Sequence, residues 1–329
     1  MPRIPRLLLL ASVAALPVGL AAAASSDQVG IWSLQGENSS ISSAKVTDRY
    51  YTNGIHVGWT SGEGAAPVAA GLGRAVLGEG AQRVSVSIDQ QLYTPFDTAS
   101  VKPSAKDRPY AGVLLANFGQ SVETATSRGT LSLTLGVMGP SAQGEQVQNG
   151  FHDLIGQKGN KGWGSQLRDE PMIGFTSSRV WRVPAGSLLG LEVDAVPGLA
   201  ASLGTLRVAA EGGVNLRIGS GLARDFGAPR IRALGGGDVF RGGEGMDWYI
   251  FAGLGGQAVA RDVTLDGNSF RSPTRSVKRD TLVGQGQFGA AVMVYGARLT
   301  YTHVLQSQEF RDQKGGLHQF GSLALSMRF

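Results

Sequence analysis

Apolar residues recur at every second position through most of the chain. Val84, Val86 and Ile88 alternate with Ser85, Ser87 and Asp89, and Leu131, Leu133, Leu135 and Val137 alternate with Ser132, Thr134 and Gly136. Leu206, Val208 and Ala210 repeat the pattern, and Val214, Leu216 and Ile218 continue on the same parity. A period of two reads as strands with one apolar and one polar face. About twelve such segments lie near 29–37, 50–62, 82–93, 109–124, 129–139, 171–183, 187–197, 204–219, 245–261, 280–294, 295–308 and 316–329. Many are long enough, at about ten residues, to cross a bilayer at a tilt. Their polar faces carry Ser, Thr, Asp, Glu, Arg and Gly, as a wet lumen requires, whereas a soluble periplasmic sandwich would show more Lys and Glu. An even set of antiparallel strands closed on itself leaves no backbone edge unsatisfied in lipid. The pattern therefore predicts an all-β fold, a transmembrane antiparallel β-barrel of about twelve strands.

The connections and the chain ends fit that class. Tyr295-Gly296 marks a tight turn, while 140–170, 220–244 and 262–279 are long, as expected for short periplasmic turns and larger external loops. Leu323, Leu325, Met327 and Phe329 alternate up to an aromatic last residue, an ending similar to the assembly signal of outer-membrane barrels. At the other end, Arg3 and Arg6, the apolar stretch Leu7 to Leu20 and the small residues Ala22, Ala23 and Ala24 predict a signal peptide over 1–24. Residues 25–329 then form one domain. No later run approaches the roughly 18 apolar residues of a membrane helix. Only 17% of residues are charged, 49 are glycine and none is cysteine, which removes disulfides and thiolate chemistry. The net charge of +5 is mild and has no aromatic-interleaved basic stripe, so nucleic acid is not a partner.

Candidate chemistry begins with four histidines. His303 shares the parity of Leu299 and Tyr301 and belongs to an outer belt, and His318 reads as structural or surface. His56 alternates with Ile55, Val57 and Trp59 and should face the lumen. His152 differs: the segment from Pro140 to Gly156 lacks period-two alternation and predicts a short helix in an external loop, with Gln148 and His152 one turn apart on one face. Read alone, the pair is either a site facing the barrel or a solvated loop. Thr47-Asp48-Arg49-Tyr50-Tyr51-Thr52-Asn53-Gly54 opens the second strand, with Thr52, Gly54 and His56 on the lumen parity. Lys106-Asp107-Arg108-Pro109-Tyr110-Ala111-Gly112 opens the fourth, where Asp107 and Arg108 could pair.

These pieces resemble the LpxR-type lipid A 3′-O-deacylases of the Gram-negative outer membrane. The resemblance extends through Tyr93-Thr94-Pro95, Gly139-Pro140, Gly144 to Asn149, Gly162-Trp163, Gln166-Leu167, Asp169-Glu170-Pro171 and Asp266-Gly267-Asn268, in order along nearly the whole mature chain. It implies a hydrolase that removes the 3′-linked acyloxyacyl group of lipid A, at a site between the inner barrel wall and a helix from an external loop. It also implies dependence on Ca²⁺ and a lipopolysaccharide partner; the barrel is read as a monomer. His152 matches the family's catalytic histidine, Gln148 its partner, and Thr52 and Asn38 the family's threonine and asparagine. A neutral imidazole can take a proton from water, and a hard cation can polarise the ester carbonyl. Asp48 and Asp153 are candidates to orient the imidazole. One departure stands out: the family pattern Glu-Asn-Asp reads Glu37-Asn38-Ser39 here. A neutral hydroxyl at Ser39 weakens a calcium site unless Glu37 or Asp48 compensates. A catalytically impaired barrel that binds lipopolysaccharide, and a passive porin, are the competing readings.

Overall fold

The computed structural model describes residues 27–41, 48–64, 67–231 and 238–329, so the expected signal peptide lies outside the described residues. The strands are β1 (Ile31–Asn38), β2 (Tyr50–Thr60), β3 (Ala81–Thr94), β4 (Ala111–Glu123), β5 (Ser127–Met138), β6 (Glu170–Trp181) and β7 (Val183–Leu188). They continue with β8 (Leu191–Gly204), β9 (Arg207–Gly219), β10 (Met246–Asp262), β11 (Leu282–Val294), β12 (Ala297–Gln306) and β13 (His318–Arg328). Each pairs antiparallel with its sequence neighbour, apart from β6 and β7. The ring closes where β1 meets β13 and where β6 meets β8. Short β7 prolongs β6 and pairs only with the start of β8, so twelve strands make the closed barrel. Outward positions such as Leu34, Ile88, Phe118, Phe175, Leu216 and Leu254 are exposed apolar side chains, a lipid-facing band.

Two expectations need correction. The segment 187–197 is displaced to Leu191–Gly204, because the chain runs past Pro184 and Gly186 before turning at Leu189 and Gly190, both with positive φ. Pro184 and Gly186 are absorbed by a break in register between Pro184 and Ser187.

The second correction concerns 220–244, expected as an external loop. Its described residues, 220–231 and 238–244, leave β9 at the rim that holds the tight turns at 124–126, 189–190 and 295–296 and fold into the lumen. Its anchors are ionic. Asp225 accepts from Arg217, from Arg298 at 3.0 Å and from the Tyr249 hydroxyl at 2.8 Å. Arg230 lies 3.3 Å from Glu37, and Asp238 lies 3.1 Å from His56. Phe226 and Phe240 are buried beside them, so the segment plugs the barrel. A passive porin would need that space open.

Candidate active site

The opposite rim carries the long connections after β1, β3, β5, β10 and β12. The loop after β5 holds the expected helix, α2 (Gly144–Leu154), the second helix after α1 (Pro67–Leu77). Its position is set by close packing. A Cβ on Gly112 would stand 3.2 Å from Gly144, and one on Gly144 would stand 2.8 Å from Trp163 and 3.0 Å from Leu92. Two facing glycines thus let the helix lie directly on the strands. Gln90 also donates to the Ala142 carbonyl at 2.7 Å. Gln90 and Leu92 continue the outward row of Val86 and Ile88, both exposed to the lipid side. The helix therefore sits on the outer wall of β3 and β4, not the inner wall expected from the resemblance.

Gly144, Gln148 and His152 form the buried stripe of α2. His152 Nε2 lies 2.7 Å from Asp48 Oδ2, and its Nδ1 lies 3.0 Å from the Lys158 carbonyl. Both partners are acceptors, so the resting imidazole–carboxylate pair holds a proton on each ring nitrogen or one shared with Asp48. Burial pushes the Asp48 carboxyl above its ordinary range, while His152, Asn160 and Gln148 beside it pull the other way. The Trp163 indole donates to Gln148 Oε1 at 2.9 Å. Because an indole can only donate, this fixes which end of the amide turns toward Asp48. Neither Gln148 Nε2 nor Asn160 Nδ2 completes a hydrogen bond of ordinary geometry, although both are buried. Asn160 is positioned by its backbone amide, which donates to the Asn149 side chain at 2.8 Å.

The other expected residues lie on the wall strands. Asn38 sits across from Asn53, and Asn53 across from Leu92, which packs with Tyr110, Trp163 and Val147 under the helix. Asn38 Oδ1 accepts from the Ser40 amide at 2.6 Å. Thr52 is the extra residue of a β-bulge between Tyr51 and Asn53, so the inward parity expected from Gly54 and His56 does not carry to it. Its hydroxyl pairs with that of Thr94 at 2.7 Å. Asp153 is exposed on α2, one residue round from the buried stripe, which leaves Asp48 as the partner of His152. Arg108 pairs with Glu309 at 2.5 Å rather than with Asp107. His56 faces the lumen, His303 stacks on exposed Phe288 in the outer belt, and His318 is fully buried against the Tyr51 carbonyl. Sequence reasoning missed Asn160, which lies in an aperiodic loop with no spacing signal.

Calcium, which the resemblance implies, takes about six to eight oxygen ligands, several of them charged. Among the described residues no group of three or more His, Asp or Glu could hold a metal. Glu37 does not compensate for Ser39. It faces the lumen, where Gln35, Tyr51, Arg230 and the Ile231 amide occupy both its oxygens. Ser39 is neutral and buried, residues 42–47 contain no carboxylate, and Asp48 is committed to His152. The described side chains around Ser39 therefore bring no cluster of charged donors to a calcium ion.

The sequence from residue 7 to 329 matches the family model described as "Outer membrane protein LpxR". Among solved structures, LpxR from Salmonella typhimurium superposes with a TM-score of 0.72 at 19% identity, covering 91% of this chain and 100% of that one. The beta domain of the Bordetella autotransporter Brka is more distant, with a TM-score of 0.44 at 12% identity over 92% of this chain and 100% of that one. The comparison with curated proteins returned no match.

Proposed function

The chain belongs to the LpxR family of outer membrane proteins, and from that membership we propose that it hydrolyses lipid A in the outer leaflet, releasing the 3′-linked acyloxyacyl chain. The reading rests on the buried 2.7 Å contact between His152 and Asp48, on the outer wall at the rim of long loops. Ester hydrolysis needs a base for the attacking water, donors for the carbonyl oxygen as it becomes anionic, and a proton for the departing sugar oxygen. Loss of one proton from the resting pair leaves Asp48 holding Nε2–H. Nδ1 is then free to accept from a water that displaces the Lys158 carbonyl. That water attacks the carbonyl carbon as Nδ1 takes its proton. The imidazolium returns this proton to the leaving oxygen as the C–O bond breaks, giving the fatty acid and a free 3′-hydroxyl. Gln148 Nε2 and Asn160 Nδ2, the half-satisfied amides beside the base, are the donors we assign to the oxyanion. Asn38 and Thr52 line the wall over which the ester is laid.

Mass spectrometry of lipid A from Gram-negative cells expressing the protein tests the proposal. Loss of the 3′ acyloxyacyl mass is expected, and unchanged lipid A beside a correctly folded barrel would refute it. Because the donor set lacks a calcium cluster, turnover by purified protein should be the same with and without a chelator. Ser39 favours a second reading, an impaired relative that binds lipopolysaccharide without cleaving it. If Ser39→Asp alone deacylates, and only with calcium, that reading replaces the first.

A further inference from the structure

Helix α2 is amphipathic in an unusual sense, because its wall-facing stripe is the polar one. Successive residues rotate by about 100°, so Gly144, Gln148 and His152 form one stripe and Val147, Phe151 and Leu154 the stripe beside it. Glu145, Asn149 and Asp153 lie on the far flank. A helix on a water-facing loop ordinarily buries its apolar side and exposes its polar one. Here Phe151 is 52% exposed, Leu154 81%, and Ile155, just past the helix, 47%. Their place in the barrel supplies the reason. The outward row of β3 passes from Val86, 43% exposed, and Ile88, 51% exposed, to Gln90 and Leu92, which α2 covers. Val147 packs on that same cluster. The apolar stripe therefore stands above the lipid-facing band, joined to it through Val147 and Leu92, and beside the buried pair of His152 and Asp48.

We propose that Val147, Phe151, Leu154 and Ile155 are immersed in the acyl layer of the outer leaflet, and that the substrate's acyl chains lie along this stripe while the ester reaches His152. The opposite flank, with Glu145 and Asp153, faces water and headgroup sugars, while Asn149 between them holds the Asn160 backbone. The polar stripe between them sits at the boundary, where an ester joins chain to sugar. The second half of the proposal rests on the hydrolase reading; the first half does not.

The chain has no cysteine, so single-cysteine variants carry a spin label at one position only. Phe151→Cys and Leu154→Cys, reconstituted in vesicles with a lipopolysaccharide outer leaflet, are compared with Ile88→Cys on the barrel band and Asp153→Cys on the polar flank. Labels at 151 and 154 should collide with oxygen in preference to a water-soluble nickel chelate, as at 88, while 153 shows the reverse. A chelate-accessible label at 151 and 154 would overturn the proposal, as would shielding from both reagents, which would point to a second copy of the chain on the stripe. For the substrate half, Leu154→Gln should lower turnover of bilayer lipid A about tenfold more than turnover of a short-chain soluble ester. Equal losses on the two substrates would overturn it. If the unmodified protein cleaves neither ester, the hydrolase reading and the substrate half fall together, and the spin labels still decide whether the stripe lies in lipid.

Discussion

Among the described residues, His56 and His152 each meet a carboxylate, and only the second is the base in the mechanism proposed above. In the lumen, His56 Nδ1 meets Asp89 at 2.6 Å, while its Nε2 faces Asp238 at 3.1 Å and the Ser33 hydroxyl at 3.1 Å. Serine, histidine and aspartate in that order look like a nucleophile, a base and its orienting acid. The second carboxylate changes the chemistry. A carboxylate on each nitrogen occupies both and leaves neither for the serine, and the contact with Asp238 ties the plug segment to the wall. At the outer wall, His152 has one carboxylate, and its other nitrogen meets a neutral loop carbonyl, that of Lys158. A neutral hydrogen bond is worth about 1 kcal/mol net, roughly half of a charged one, so water can replace it. What separates the lumen histidine from the proposed base is the charge of the second partner, not the first.

Exchanging the roles of the two histidines breaks the comparison most directly. His152→Ala should lower deacylation by at least about a hundredfold, the usual contribution of a positioned base. His56→Ala should act on stability instead. The buried Asp89 and the half-buried Asp238 lose their shared partner at a cost of about 3 kcal/mol, lowering the unfolding temperature while lipid A is still cleaved. Lipid A mass spectra and thermal unfolding in detergent read the two effects separately. A His152→Ala protein that still deacylates would remove the base.

Asp48→Asn comes next. It keeps the shape of the pair but removes the anion that stabilises the protonated form, so turnover should fall on the order of tenfold to a hundredfold. Unchanged turnover in Asp48→Asn, read from lipid A mass spectra, would separate Asp48 from the base.

Much of the contrast was legible in the residues themselves. Alternation at Val84 to Ile88 and Leu131 to Val137 foretold a barrel because lipid and lumen impose a strict two-residue period. His56 was correctly placed in the lumen for the same reason. Gln148 and His152 shared a helical face as their spacing required, since four residues make about one turn. The failures have equally local causes. Thr52 escaped parity because a single inserted residue resets it. The 220–244 segment passed for an external loop because its anchors, Asp225, Arg230 and Asp238, pair with residues far along the chain. The helix was assigned to the wrong side of the wall because only contacts such as Leu92 with Gly144 reveal the side.

Asn160 sharpens the outer site further. If its amide serves the oxyanion together with Gln148, Asn160→Ala should lower kcat about tenfold with KM little changed. That lies below the hundredfold or more commanded by a lone donor, since the second amide remains. Steady-state kinetics on solubilised lipid A measures the split. A rise in KM alone would make Asn160 a binding contact instead.

The smallest effect belongs to Trp163, which lies outside the chemistry and acts through one bond. Its indole N–H holds Gln148 Oε1 at 2.9 Å, and the ring packs against Tyr110 with centroids 4.9 Å apart. Trp163→Phe keeps most of the packing but leaves the amide free to turn its oxygen toward Asp48, where two acceptors repel. A fall of about threefold in kcat is expected, the share of one neutral hydrogen bond. The decisive measurement is a double-mutant cycle with Gln148→Ala. If the indole acts only by orienting that amide, Trp163→Phe should cost almost nothing further in kcat once Gln148 is gone. An undiminished loss in that background would mean that the tryptophan shapes the site through packing, and the orientation assigned to Gln148 would have to be abandoned.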